Sequence, residues 1–293
     1  MTTFSTKQVA IRCIATAMLT VATLAAFWVF FWPGVRADLG LTPRVCSSDW
    51  SQPLDFEDPL AKDEVRQRYE SMVALRNSVM SQEQQDSLMR LLHNNVEIYK
   101  NMYWLGIPVL KTPSDMWMMQ QVLAEVRPDW IVEAGTWQGG SALYFAHVLE
   151  GLGLHDSKII TIDIEDMTEE VSKHPLWQER IEFVHGSSTD PEVIAWVKKR
   201  VAGKRVLVVL DSVHAAFHVA AEIKAYSSLV SPESYLIVED TGLDGIPIYP
   251  NWEGPTRAVV DFLKTDEGGR FEVDSSREAF MITLHPGGWL KRK

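Results

Sequence analysis

Cysteine is scarce in this chain. Only Cys13 and Cys46 occur in 293 residues, with no CxxC or Cys/His spacing. That leaves no disulfide framework and no structural zinc site. Basic charge is also short: 28 Lys and Arg against 39 Asp and Glu give a formal net charge of −11. Phosphate backbones need a basic stripe, so no nucleic-acid partner is expected. The GxGxxG spacing of a dinucleotide fingerprint is missing, as are internal repeats and low-complexity tracts.

Long apolar runs are rare too, and the one present stands out. Residues Cys13–Trp32 carry no charged side chain. As a helix they would span roughly 30 Å, about the thickness of a bilayer's hydrocarbon core. Trp28 and Trp32 suit an interfacial belt. A cleaved signal peptide is the alternative, with Lys7 and Arg12 before the run and Val35-Arg36-Ala37 after it, but the run is longer than a usual signal core. The expected organisation is a short tail (1–12), a transmembrane anchor (13–32), a Pro- and Gly-bearing linker (33–60), a helical extension (61–102) and the main domain (103–293). In the extension, Val65, Tyr69 and Met72, then Leu88, Leu91, Leu92, Val96 and Tyr99, recur at helical spacing, which predicts two amphipathic helices broken near Ser81.

From Pro113 onward, predicted helices alternate with short apolar runs. The runs are Trp130–Ala134, Lys158–Ile162, Ile181–Val184, Arg205–Leu210 and Ser234–Val238, with last strands expected at Phe271–Val273 and Phe280–Leu284. Such alternation predicts an α/β fold, a mostly parallel sheet with helices on both faces. Ligands of such folds bind outside the carboxyl ends of the strands. Asp211 follows one run and Glu239-Asp240 the next, so three carboxylates should meet at one edge. They would repel one another unless a cation neutralised them. Oxygen ligands suit Mg²⁺ or Mn²⁺. The turn Gly135-Thr136-Trp137-Gln138-Gly139-Gly140-Ser141 lets the backbone approach a ligand after the first strand. Asp163, after the second, stands where a carboxylate holds a ribose diol.

The order Glu133-x-Gly135, Asp163, Gly186-Ser187-Ser188, Asp211, Glu239-Asp240 resembles class I S-adenosylmethionine-dependent O-methyltransferases. Two motifs near the ends, Tyr103-Trp104-Leu105-Gly106 and Gly288-Trp289-Leu290-Lys291-Arg292, with Leu210-Asp211-Ser212, His218-Val219 and Gly254-Pro255 between them, are similar to the cephalosporin hydroxylase and rhamnosyl O-methyltransferase family. Catechol O-methyltransferase is a more distant likeness. The resemblance implies a Rossmann-like methyltransferase fold with a seven-stranded sheet. It implies that Glu133, Gly135, Trp137, Gly140 and Ser141 line the methionine part of S-adenosylmethionine, that Asp163 holds the ribose, and that Ser187 and Ser188 lie beside the adenine. It implies a metal held by Asp211, Glu239 and Asp240, the last replacing an amide of the catechol enzyme. His214 stands where that enzyme carries its catalytic lysine and is the expected base, with His218 one turn along the helix as its rival. The plainer role for His214 is to cap its helix or bond a neighbouring carboxylate, and for His218 a structural one. The expected acceptor is a sugar hydroxyl of a small molecule or lipid-linked glycan. The expected setting is a membrane anchor with the domain facing the cytosol, and a homo-oligomer is among the expected partners. The family's historical label suggests an iron/2-oxoglutarate hydroxylase instead, and a non-catalytic tethered scaffold is the third reading.

Overall fold

Five apolar runs with no room for a helix between Gly or Asp punctuations become the parallel core of one sheet. The computed structural model describes residues 59–92, 97–245, 253–280 and 282–293. The anchor expected at 13–32 and most of the linker therefore lie outside the described residues, as do Tyr249 and Trp252 of the loop after Glu239-Asp240. Among the described residues, no helix is long and apolar enough to cross a membrane.

A two-residue hairpin, β1 (Tyr103–Trp104) with β2 (Ile107–Pro108), precedes the sheet. The sheet comprises β3 (Trp130–Ala134), β4 (Lys158–Asp163), β5 (Ile181–His185), β6 (Val206–Leu210), β7 (Tyr235–Val238), β8 (Phe271–Val273) and β9 (Trp289–Arg292), in the order β5-β4-β3-β6-β7-β9-β8. The pairs among the first five positions are parallel, and β9 runs antiparallel between β7 and β8. The fold is the expected mostly parallel α/β sheet of seven strands. β3 and β6 are buried along their whole length, as central parallel strands covered on both faces must be. One face packs against α3 (Pro113–Val126) and α4 (Gly140–Gly151) through Val122, Leu123, Leu143 and Phe145; the other meets α7 (Ala216–Tyr226) and α8 (Pro255–Phe262) through Val219, Ile223, Ala258 and Phe262.

Among the described residues, 280 and 282–284 of the strand expected at Phe280–Leu284 form no strand, and the last strand is Trp289–Arg292. The backbone of Leu284 is engaged elsewhere, its N–H on the Asp115 carboxylate and its C=O on Gly242 N–H. Trp289 and Leu290, both wholly buried, supply the apolar pair that the sheet requires. The two N-terminal helices are α1 (Pro59–Val79) and α2 (Gln82–Arg90), and Ser81 caps α2 in a capping box with Gln84. The inward face of α1 is Val65, Tyr69, Val73 and Arg76, while Met72 of the expected stripe is exposed. α2 buries no residue. Glu97 adopts a left-handed conformation before a short 3₁₀ turn at Ile98–Asn101, so the helical pattern does not run through to Met102.

A buried charge network fastens the segment after β8. The Arg277 guanidinium donates to Glu125 Oε1 and Oε2 (3.0 and 2.6 Å), to Asp274 Oδ2 (3.1 Å) and to Tyr235 Oη (2.9 and 3.1 Å). Removing a single member strands the remaining charges out of water. Arg277→Met is expected to cost about 3–5 kcal/mol, measurable as a cooperative drop in Tm. A variant melting with the wild type would remove this network from the account of stability.

Candidate active site

The carboxyl ends of β3, β4, β5, β6 and β7 open into one cavity of about 600 Å³. Each wall has a local cause. After β3 the chain turns at Gly135, with φ +96, where a Cβ would lie 1.9 Å from the Asp211 carbonyl oxygen. Only glycine fits there. Trp137 is left-handed, with φ +45, a strained state for a bulky residue. Its N–H donates to Asp163 Oδ2 at 2.8 Å, beside the N–H of Thr136 at 2.9 Å. Asp163 thus holds the turn of the neighbouring strand. Each carboxylate oxygen can accept twice, so it keeps capacity toward the cavity that it lines. Glu165, which lines the same wall, carried no signal in the sequence.

Glu133 is wholly buried and does not line the cavity. Its oxygens accept from Ser141 Oγ (2.6 Å) and Thr161 Oγ1 (2.7 Å), and burial pushes its carboxyl up to about 7 against the pull of Lys111 and these donors. It braces the turn from behind. Gly140 and Ser141 line the cavity directly, and a Cβ on Gly140 would lie 2.1 Å from the Pro108 carbonyl oxygen.

At the β5 end, Ser187 and Ser188 line the wall. The hydroxyl of Ser188 is committed to Glu222 Oε1 at 2.5 Å, as is that of Ser212 at 2.6 Å. His218 Nε2 lies 3.3 Å from the same oxygen, and this hydrogen bond raises its pKa against the effect of burial. His218 therefore belongs to the serine end of the cavity. His214 meets a different carboxylate, its Nε2 3.2 Å from Asp240 Oδ2.

Two of the three acidic residues expected to share a metal, Asp211 and Glu239, meet one ammonium. Lys111, almost fully buried and arriving just before α3, places its ammonium 2.9 Å from Asp211 Oδ2 and 2.7 and 2.6 Å from the two oxygens of Glu239. Glu239 does not line the cavity, while Asp240 does. The chain leaves β7 at Val238 and turns left-handed at Asp240, and the Glu239-Asp240 pair divides between core and cavity. Among the described residues, Asp211, His214 and Asp240 form a cluster whose ligand atoms all lie within 4.8 Å of one another. This donor set fits a divalent cation, because its charges are under-compensated. Burial and the Asp211 carboxylate push Asp240 up to about 8, and burial with the Glu239 carboxylate raises Asp211 despite Lys111.

Residues 96–293 match the family model described as Rhamnosyl O-methyltransferase/CmcI. The chain belongs to that family. Among curated relatives, a rhamnosyl O-methyltransferase of Mycobacterium bovis is 35% identical over 203 residues, covering 66% of this chain and 81% of the relative. One from Mycobacterium leprae is 34% identical over 200 residues, covering 67% and 85%. Among solved structures, a CmcI apo-structure superposes with a TM-score of 0.50 at 22% identity, covering 66% of this chain and 76% of that one, which shows a shared fold. The family match begins before the hairpin and takes in every residue of the cavity described above.

Two carboxyls of this family member take up protons on folding, Asp240 from 3.8 to about 8 and Glu133 from 4.5 to about 7. Their contribution is fully present below the unfolded values and is lost as pH rises through the folded ones. Without a divalent cation, Tm should fall between about pH 5 and about pH 8, and Mg²⁺ should raise it more at about pH 8.5 than at about pH 6. A Mg²⁺ effect that is flat across this range would contradict the assignment. Lys111→Met removes the one ammonium between Asp211 and Glu239. It should lower cation-free stability by about 3 kcal/mol or more, and Mg²⁺ should recover part of the loss, as read by thermal melts with and without the ion.

Proposed function

We propose that the protein transfers the methyl group of S-adenosylmethionine to a sugar hydroxyl of a glycolipid or glycosylated metabolite, with Mg²⁺ or Mn²⁺ bound beside the acceptor. The observation that carries this reading is the single cavity. It joins the glycine turn and Asp163 at one end to Asp211, His214 and Asp240 at the other. The mycobacterial relatives, rhamnosyl O-methyltransferases by name, support a sugar as acceptor.

In this reading Gly135, Trp137, Gly140 and Ser141 border the methionine end of the cofactor, and Asp163 receives the ribose hydroxyls through its remaining acceptor capacity. Ser187 and Ser188 flank the adenine, with Glu222 keeping Ser188 in place. Glu133 acts from behind the turn. The cation, when bound, polarises the acceptor hydroxyl. Hard cations prefer carboxylate oxygens, so Asp211 and Asp240 hold it and His214 is left for the proton. Its Nε2, 3.2 Å from Asp240 Oδ2, puts the imidazole beside the carboxylates. S-adenosylmethionine would supply the methyl group for the acceptor oxygen, and His214 would accept the proton that the acceptor hydroxyl gives up. Methyl transfer asks for alignment and exclusion of water rather than covalent catalysis, because the sulfonium is already an activated donor. Residues 13–32 would anchor the chain, with the catalytic domain on the cytosolic side where the cofactor is made, and 33–60 would link them. The hydroxylase reading needs two histidines and one carboxylate; the cluster here has one histidine and two carboxylates.

Calorimetric titration of the full-length chain with S-adenosylmethionine and with Mg²⁺ tests the proposal. Asp163→Ala should weaken the cofactor, and Asp211→Ala should weaken Mg²⁺, each by about tenfold or more. His214→Ala should lower kcat on an alkyl rhamnoside by about 10²–10⁴-fold with little change in either affinity. Wild-type protein that binds neither ligand would sink the reading, and binding without turnover on any glycoside would favour the scaffold. Deletion of residues 1–32 should move the protein from the membrane fraction to the supernatant; unchanged fractionation would refute the anchor.

A further inference from the structure

The turn that carries Asp240 is laced to a distant loop. Val238 N–H donates to Gly288 O, and Gly242 N–H to Leu284 O, both at 2.9 Å. Thr241 Oγ1 donates to Pro286 O at 2.8 Å. Between these rungs lies one that relies on a side-chain acceptor: Asp240 N–H donates to His285 Nδ1 at 2.9 Å, across 45 residues. Asp240 itself is left-handed, with φ +59. Non-glycine residues adopt that state uncommonly, aspartate more readily than most, so the contacts around the turn decide whether it is held.

His285 is built in firmly. It is 2% exposed, its own N–H donates to Thr283 Oγ1 at 3.0 Å, and the preceding Leu284 N–H is held by Asp115 Oδ2 at 2.9 Å. Its ring meets Trp289 edge-on, with centroids 5.8 Å apart. A backbone N–H can only donate, so Nδ1 is an acceptor and the ring proton sits on Nε2. Nε2 lies 3.5 Å from Glu239 Oε2 and 3.7 Å from Asp115 Oδ2. One imidazole therefore touches the backbone of Asp240 and faces the carboxylate of Glu239.

We infer that His285 is a positioning residue for the cation end of the site: it imposes the left-handed turn at Asp240 and so aims that carboxylate at Asp211 and His214, while Glu239 turns inward to Lys111. Without the Nδ1 acceptor, the Asp240 N–H loses its partner and the left-handed turn loses the one rung made at Asp240 itself. The turn then relaxes and the carboxylate leaves the cluster. The inference rests on the cation reading of the previous subsection.

His285→Leu keeps comparable bulk without an acceptor, whereas His285→Asn keeps an acceptor oxygen near the place of Nδ1. Each full-length variant is compared with the wild type by Mg²⁺ calorimetry, S-adenosylmethionine calorimetry, near-ultraviolet circular dichroism, and hydrogen exchange of the Asp240 amide followed by NMR. The leucine variant should stay folded, lose protection at the Asp240 amide and bind Mg²⁺ about 10–100-fold more weakly. The asparagine variant should restore both, and cofactor affinity should hold in both. A leucine variant with wild-type Mg²⁺ affinity and a protected Asp240 amide overturns the inference. So does equal loss of Mg²⁺ and cofactor in both variants, which would mark His285 as packing alone. If wild type binds no Mg²⁺, the cation reading fails, and amide protection with its rescue by asparagine still decides the clamp. Should His285→Leu fail to fold, His285→Ala read by the same amide replaces it.

Discussion

Negative charge is concentrated at the carboxyl edge of the sheet, and the rest of the site is arranged around its neutralisation. Glu133, Asp211, Glu239 and Asp240 all stand at or just beyond the ends of β3, β6 and β7. Lys111 answers only part of that charge, bridging Asp211 to Glu239. The residue of the imbalance is visible in the raised carboxyls of Asp211 and Asp240. An edge left in this condition is costly without a cation and receptive to one. Its excess negative potential also suits a sulfonium donor, whose charge disappears as the methyl group departs.

Much of this was legible in the sequence. The strand Trp130–Ala134 appears at its expected bounds, and the next four runs differ from their strands by a residue at one end, because fully buried parallel strands read as uninterrupted apolar runs. The residues that the resemblance assigned to the cofactor do gather at one sheet edge, since the strand order places their turns side by side. Contacts made across the chain were not legible. Lys111 lies 128 positions from Glu239, and no local pattern ties the two together. His285 showed no periodicity and no motif of its own, so a role for it could come only from geometry. Glu239 and Asp240 were read as equivalent because a dipeptide of two acids shows no direction until the backbone conformation at Asp240 is known.

The missed last strand has a similar origin. Phe280–Leu284 has the composition of a strand, but the backbone N–H and C=O of Leu284 are claimed by Asp115 and Gly242. Composition proposes a strand, and the hydrogen-bond partners decide. The two histidines one turn apart in sequence likewise separate in space, His214 to the acidic cluster and His218 to the serines around Glu222.

The position of β9 between β7 and β8 has a kinetic corollary. The glycine-turn half of the cavity is built from β3, β4 and β5, neighbours joined by single crossovers. The acidic half needs β9 docked, because the loop that leads into β9 carries His285, the acceptor for Asp240. Closing these long separations costs chain entropy before any contact repays it. Assembly is therefore expected to be staggered: the glycine-turn side of the cavity forms ahead of the acidic side, which is complete only when β9 slots into the sheet.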